Sequence, residues 1–158
     1  ASLVVASDIS PFRRDAAGRF GADVVVDATG DVAAEVRKAN GGRAADLVIL
    51  TAGSERAIAQ ALRSVDRGGT VLFFAPARQG ANVPLPVNDL FWRNEITLTS
   101  SYAANYQEHM TAMEMIRQGK VDVAGMITHR LPLAETAKGF RLVEEAGESL
   151  KVIIEPWG

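Results

Sequence analysis

An acidic residue follows the first apolar run of the chain, because Leu3–Ala6 leads through Ser7 into Asp8. A carboxylate at the end of a buried strand can accept two hydrogen bonds from the vicinal hydroxyls of a ribose, and its charge repels a 2′-phosphate. We therefore interpret Asp8 as a nucleotide-binding residue that favours NAD over NADP. Arg13 and Arg14 follow about one helical turn later, close enough to pack over an adenine ring or to soften that repulsion.

Three later apolar runs also end in residues that could line a ligand site, because ligands of open parallel sheets bind beyond the carboxyl ends of the strands. These ends read TAG at 51–53, FAP at 74–76 and SSY at 100–102. Gly53 has no side chain and would let the backbone approach a ligand closely. A structural reading stays open: Asp8 could be a turn residue, Gly53 could relieve a turn, and the serines could be solvated.

The elements that must position these residues alternate along the first half of the chain. Short, continuous apolar runs predict strands buried on both faces, at 3–6, 24–26, 47–50, 70–74 and 96–99. Between them, Ser10, Asp31 and Ser54 are placed to cap three helices. The last of these carries an apolar stripe of Ala57, Ile58, Ala61, Leu62 and Val65. Alternation of strands and helices predicts an α/β fold with a mostly parallel sheet and helices on both faces.

After Phe74 the pattern changes, since Pro76, Pro84 and Pro86 exclude a central strand and permit only an extended edge segment or a loop. A helix is predicted from about Asn105 to Gln118, with Asn105 and Glu108 spaced as a capping box and with inward-facing Met110, Met113 and Ile116. A further helix is predicted over 134–146, and KVIIEP forms a last strand.

Composition excludes several classes of function. The chain has 158 residues, of which 47% are hydrophobic and 23% charged, and its net charge of -2 offers no basic surface for nucleic acid. No apolar run approaches the roughly 20 residues that span a bilayer, so a membrane protein is not expected. The lack of cysteine fits a reducing cytoplasm. His109 and His129 have no acidic partner at a ligand spacing, so neither is expected to bind a metal.

An ordered set of short segments covers nearly the whole chain: SDISPFRRDAAGRFGAD, DLVILTAG, GGTVLFFAP, NEITLTSSY, MITHRLPLAETAKGF and LKVIIEP. In this order they resemble the C-terminal, nucleotide-binding half of the zinc-dependent medium-chain alcohol dehydrogenases, in the branch of polyol and threonine dehydrogenases. The resemblance implies a Rossmann-like doubly wound sheet, with residues 1–158 forming a partial dinucleotide-binding domain.

The resemblance also implies roles for individual residues. Asp8 would bind the adenosine ribose of NAD, and Arg13 would contact the ribose or the adenine face. Thr51, Ala52 and Gly53 would line the loop under the cofactor, and the backbone of Ala75 and Pro76 would hold the nicotinamide carboxamide. Ser100 and Ser101 would flank the nicotinamide and the pyrophosphate. The segment 82–87 would be a strand that pairs with its counterpart in a homodimer.

The resemblance begins at the second strand of the family's sheet, and no G-x-G-x-x-G occurs in the chain. The first strand, the glycine loop and the zinc-binding catalytic domain would then lie outside this sequence, which leaves no catalytic or metal-binding residue to assign within it. We therefore expect the chain to be part of an enzyme that transfers hydride between a secondary alcohol, such as a polyol, and NAD, and to be inactive alone.

Two alternatives are also compatible with these residues. The chain could be a standalone module for nucleotide binding or oligomerisation, in which the first and third strands pair directly. It could also be a relative of the zinc-free quinone or enoyl reductases, which commonly prefer NADPH.

Overall fold

The computed structural model describes residues 1–157 and divides the chain into two compact units. The first unit comprises Ala1–Ile9 and Ala22–Ala103, and the second comprises Ser10–Gly21 together with the chain from Ala104 onward.

The first unit contains five strands in two parallel sheets. Strands β1 (Val5–Asp8) and β2 (Val24–Asp27) form one pair. Strands β3 (Ala45–Leu50), β4 (Val65–Phe73) and β5 (Thr97–Ser100) form the other sheet in the order β3-β4-β5. Every pairing is parallel, which confirms the α/β fold with parallel strands.

Strands β1 and β3 are each the edge of a separate sheet within residues 1–157. The direct pairing of the first and third strands, which the standalone-module hypothesis required, is therefore wrong for this structure. Parallel strands need a ladder of shared backbone hydrogen bonds, and β1 forms its ladder with β2 alone.

Helices α2 (Val32–Ala39) and α3 (Glu55–Ser64) connect the strands of the first unit, and their predicted caps are confirmed. The Asp31 carboxylate accepts a hydrogen bond from the Ala34 amide, and the Ser54 hydroxyl accepts one from the Ala57 amide. The apolar stripe of α3 packs on the sheet, as predicted. Its core members are Ile58, Ala61 and Leu62, which cluster with Leu50, Val65, Val71, Leu90 and Ile96; Val65, expected on the helix, is the first residue of β4.

The expectation that the strands are buried on both faces is wrong for β3, and also for β5, in which Thr97 and Thr99 are exposed. Val48 and Leu50 face the core beneath α3, but Leu47 and Ile49, which alternate with them, are 56% and 54% exposed. An unbroken apolar run shows that both faces are apolar. A strand is buried on both faces only where other elements cover both, and no described element covers the face of β3 that carries Leu47 and Ile49.

The segment after β4 contains no strand until β5, as the prolines predicted. Residues 82–86 lie in no regular element and Val87 is helical, so the strand expected at 82–87 is not formed within the described chain. Val83 packs against the core, whereas Leu85 and Val87 are exposed. A five-residue π-helical turn, Asn88–Trp92, follows and buries Leu90.

The second unit contains helix α1 (Pro11–Arg19), helix α4 (Tyr106–Arg117), a short α5 (Val123–Met126), strand β6 (Ile127–Pro132), helix α6 (Thr136–Glu145) and strand β7 (Lys151–Glu155). The Ser10 cap of α1 and the capping box of Asn105 with Glu108 are confirmed. Strand β6, which pairs in parallel with β7, was not predicted because its polar residues Thr128, His129 and Arg130 break the apolar run.

The prediction that Met110, Met113 and Ile116 face inward is wrong. Their side chains are 52%, 63% and 39% exposed, and α4 has no buried residue. Helical spacing identifies the residues that share a stripe, but it does not provide the surface that would cover them. None of the described helices is long and apolar enough to cross a membrane.

Candidate functional site

Two carboxylates lie side by side where β1 and β2 end. Asp8 and Asp27 are the last residues of their strands and are partners in the parallel register. Neighbouring strands lie about 4.8 Å apart, and register partners point to the same face, so the two side chains are neighbours. Asp8 is half-buried, and its carbonyl accepts a hydrogen bond of 3.1 Å from the Ala28 amide.

Asp27 was not selected from the sequence. One oxygen of its carboxylate accepts hydrogen bonds from the Thr29 amide and hydroxyl, at 2.8 and 2.7 Å, so the turn after β2 holds the group in place. The signal was present, because Asp27 follows the run Val24–Val26 as Asp8 follows Leu3–Ala6. The two acids give this strand end a concentrated negative charge.

Side chains of α3 join the end of β2 to the end of β3. Arg56, in the first turn of α3, donates a hydrogen bond to the Thr29 carbonyl, just beyond β2. The buried Gln60 accepts a hydrogen bond of 2.8 Å from the Val32 amide and donates one of 3.0 Å to the Ala28 carbonyl. Since only the short loop 51–54 separates the end of β3 from the start of α3, these bonds place the carboxyl ends of the two sheets on the same side of the first unit.

The loops after β3 and β4 contact each other. The Leu50 carbonyl accepts hydrogen bonds from the amides of Phe74 and Ala75, at 3.0 and 3.1 Å. The chain therefore bends across the end of β3 as it leaves β4. A Cβ atom placed on Gly53 would lie only 2.0 Å from the Pro76 carbonyl oxygen. The close neighbour of Gly53 in this structure is thus the protein backbone.

The remaining predicted residues of the first unit lie at the same edge. Thr51 and Ala52 are exposed, and Ala75 is half-buried. Strand β5 ends at Ser100, the register partner of Phe73, and Ser100 and Ser101 are both exposed. The structure thus brings Asp8, the 51–53 loop, the 75–76 loop and the two serines to the carboxyl ends of the parallel strands.

Arg13 lies in the second unit, on α1. With Ala16, Ala17 and Phe20 it forms one face of that helix, and this face lines a cavity of about 420 Å³. The other lining residues are Val123, Met126, Leu150 and Lys151. Arg13 is half-buried there, and its role at a nucleotide remains a prediction.

A family model described as zinc-binding dehydrogenase matches residues 1–118, which is three quarters of the chain. The chain belongs to the zinc-binding dehydrogenase family. This match confirms the resemblance found from the ordered segments.

Individual members of the zinc-binding dehydrogenase family are similar along the whole chain. An L-threonine 3-dehydrogenase of Bacillus velezensis is 29% identical over 157 residues, covering 99% of this chain and 45% of the relative. A sorbitol dehydrogenase of Bacillus subtilis is 29% identical over 160 residues, covering 99% of this chain and 44% of the relative. The chain therefore spans less than half the length of these relatives.

A solved structure extends the similarity to the fold. A protein of Sinorhizobium meliloti, crystallised with bound NADP, is 26% identical and superposes with a TM-score of 0.86. It covers 99% of this chain, and this chain covers 46% of it. The Rossmann-like fold is thereby confirmed.

Zinc sites in proteins are built from grouped His, Cys, Asp or Glu side chains. Within residues 1–157, no three side chains of His, Asp or Glu are grouped so that they could hold a metal ion. The Nδ1 atom of His109 lies 2.8 Å from the Asn105 carbonyl, and that of His129 lies 3.0 Å from the Thr128 hydroxyl. The described residues therefore do not fit a zinc site, and no chemical step of zinc is assigned to them.

Proposed function

We propose that this chain is the nucleotide-binding part of an NAD-dependent, zinc-containing dehydrogenase that transfers hydride between a secondary alcohol, such as a polyol, and NAD. The observation that carries the proposal is the position of Asp8 at the carboxyl ends of the strands, on the edge shared with the loops at 51–53 and 75–76. Parallel α/β sheets bind nucleotides at this edge. Zinc is placed on residues outside this chain.

The residues at the edge fit a dinucleotide. Asp8 offers two carboxylate oxygens to the adenosine ribose, and the small side chains of Ala52 and Ala75 leave the loop backbone open to a flat ring. Ser100 and Ser101 offer hydroxyl groups that can donate to a phosphate or an amide oxygen. When bound, the cofactor accepts or supplies the hydride, and these residues only hold and orient it.

The charge at the end of β1 and β2 supports NAD over NADP. Asp8 and Asp27 are adjacent in the register, and a 2′-phosphate would add a further negative charge beside them. Two unit charges 4 Å apart repel by about 1 kcal/mol in water and about 4 kcal/mol near a protein surface. The S. meliloti protein was crystallised with NADP, so the two cofactors are compared directly in the experiment below.

The proposal is tested by measuring the binding of NADH and NADPH to the chain through nucleotide fluorescence. We expect NADH to bind more tightly than NADPH. Replacing the carboxylate by Asp8→Asn should weaken NADH binding roughly 10- to 100-fold, since a hydrogen bond to a charged group contributes about 1.5–3 kcal/mol. The preference for NADH should fall in the same variant.

A matched control is Asp15→Asn, which removes the same charge from an exposed position of α1. It should leave both affinities unchanged. Absence of NADH binding to the wild-type chain would contradict the proposal. Tighter binding of NADPH would instead favour the zinc-free quinone or enoyl reductases.

We further propose that the enzyme is a homodimer that pairs through residues 82–87, and that it is cytoplasmic. The exposed Leu85 and Val87 support the dimer, whereas Val83 packs on the core and is unsuitable for substitution. Light scattering should show a dimer that Leu85→Asp converts to monomer. A dimer that persists in this variant would refute the role of the segment. The cytoplasmic location is supported by the lack of cysteine.

A further inference from the structure

Gly53 lies where the loop after β3 touches the loop after β4. A Cβ atom on Gly53 would lie 2.0 Å from the Pro76 carbonyl oxygen, 2.9 Å from its carbonyl carbon and 3.1 Å from the Ala77 Cα. All three atoms are backbone, so none can move aside by a change of rotamer. Any side chain at position 53 would displace the 76–77 backbone.

The need for glycine here is steric. Gly53 is not among the glycines with positive φ, so its backbone conformation is open to any residue. Its neighbours Thr51 and Ala52 are exposed, but Gly53 itself is half-buried under the crossing segment. The missing side chain therefore makes room for the Pro76 peptide group.

The crossing segment is held at a second point. The Leu50 carbonyl, at the end of β3, accepts hydrogen bonds from both the Phe74 and the Ala75 amides. The Phe74–Pro76 backbone is thus fixed on one side by these bonds and on the other by contact with Gly53. The ring of Pro76 restricts its own φ angle and adds to this rigidity.

We propose that Gly53 is a positioning residue, which fixes the Ala75–Pro76 backbone for the nicotinamide end of the dinucleotide by letting the Pro76 carbonyl pack against it. This inference rests on the proposed function, in which the same backbone holds the nicotinamide carboxamide. Gly53 then acts on the cofactor only through Pro76 and does not contact it directly. A displacement of the 75–77 backbone should then weaken the hold on nicotinamide and leave the adenosine end unaffected.

The experiment compares two ligands that share the adenosine and pyrophosphate parts, NADH and ADP-ribose, on the wild-type chain and on Gly53→Ala. We expect NADH affinity to fall roughly tenfold, as for loss of one or two hydrogen bonds, and ADP-ribose affinity to change by less than about twofold. The matched control is Gly30→Ala, because a Cβ there would make only an ordinary contact of 3.5 Å with the Asp27 carbonyl. This control should leave both affinities unchanged.

Amide hydrogen exchange gives a readout that needs no ligand. The Phe74 and Ala75 amides should exchange faster in Gly53→Ala than in the wild type. If Gly53→Ala does not fold, Pro76→Gly serves instead, since Pro76 is exposed and its replacement frees the same carbonyl from its position against Gly53. That variant should show the same selective loss of NADH affinity.

Four outcomes would overturn the inference. Equal losses of NADH and ADP-ribose affinity, or no loss of either, would remove Gly53 from nicotinamide positioning while leaving the proposed function in place. Unchanged exchange at Phe74 and Ala75 would show that Gly53 does not fix the segment. Failure of the wild-type chain to bind either ligand would reject the proposed function itself, and the inference with it.

Discussion

Gln60 is the side chain whose removal should most weaken the connection between the two sheets of the first unit. It is buried on α3, and it pairs with the Val32 amide, at the first residue of α2, and with the Ala28 carbonyl after β2. Gln60→Met keeps the length and shape of the side chain but can make neither bond. The substitution therefore isolates the two hydrogen bonds from any change in packing volume.

The expected loss follows from the two backbone groups left without their partner. A buried polar group without a hydrogen bond costs about 1–3 kcal/mol, and the Ala28 carbonyl is only part-buried, so we expect a total of about 2–4 kcal/mol. With a slope of about 2 kcal/mol per molar urea, the unfolding midpoint should fall by roughly 1–2 M. The Val32 amide should also lose protection from hydrogen exchange.

Circular dichroism in urea, with exchange measured over residues 28–36, tests this expectation. The control is Gln107→Met, an identical change at an exposed position of α4. The reasoning is refuted if Gln60→Met lowers the midpoint no more than the control does, or if the Val32 amide keeps its protection.

Two further predictions concern exposed groups. Leu47 and Ile49 are 56% and 54% exposed. The double variant Leu47→Thr, Ile49→Thr should therefore bind less of a fluorescent hydrophobic dye and unfold at the same urea midpoint as the wild type. A midpoint lowered by more than roughly 0.5 M would contradict the exposure of these side chains. The side chains of Arg117 and Gln118 donate hydrogen bonds to the Glu114 carboxylate and hold its pKa below the ordinary 4.5. The stabilisation of folded α4 by this group should therefore be present above the ordinary pKa and be lost as the pH falls through the lowered one. A carboxyl titration by NMR should show the lowered pKa of Glu114 in the wild type and a pKa closer to 4.5 in Arg117→Met. A wild-type pKa of 4.5 or above would be inconsistent with these hydrogen bonds.

Local signals in the sequence were sufficient to locate the strand ends of the first unit and several helix starts in both units. Ser10, Asp31 and Ser54 cap helices as predicted, because a cap depends only on the three residues that follow it. The alternation of apolar runs with capped helices also indicated parallel strands, and hence the edge on which Asp8 lies.

Features that depend on contacts between residues distant in sequence could not be predicted from these local signals. Asp27 becomes the neighbour of Asp8 only through the register of β1 with β2, and Gln60 looks like a polar interruption of an apolar stripe until its partners 28 and 32 residues away are known. The exposure of Met110 and Met113 has the same origin, because helical spacing defines a stripe but not the surface that covers it.

At Gly53 the structure places a different group from the one that the sequence suggested. Its lack of a side chain suggested a close approach, and the sequence offered a ligand as the approaching group. In the structure the Pro76 carbonyl occupies that space, and the segment 54–75 between the two positions contains α3 and β4. Strand register brings the ends of β3 and β4 together, so the glycine acts on the second loop through the fold. The same register that aligns Leu50 with Phe73 therefore determines the shape of the proposed nicotinamide site.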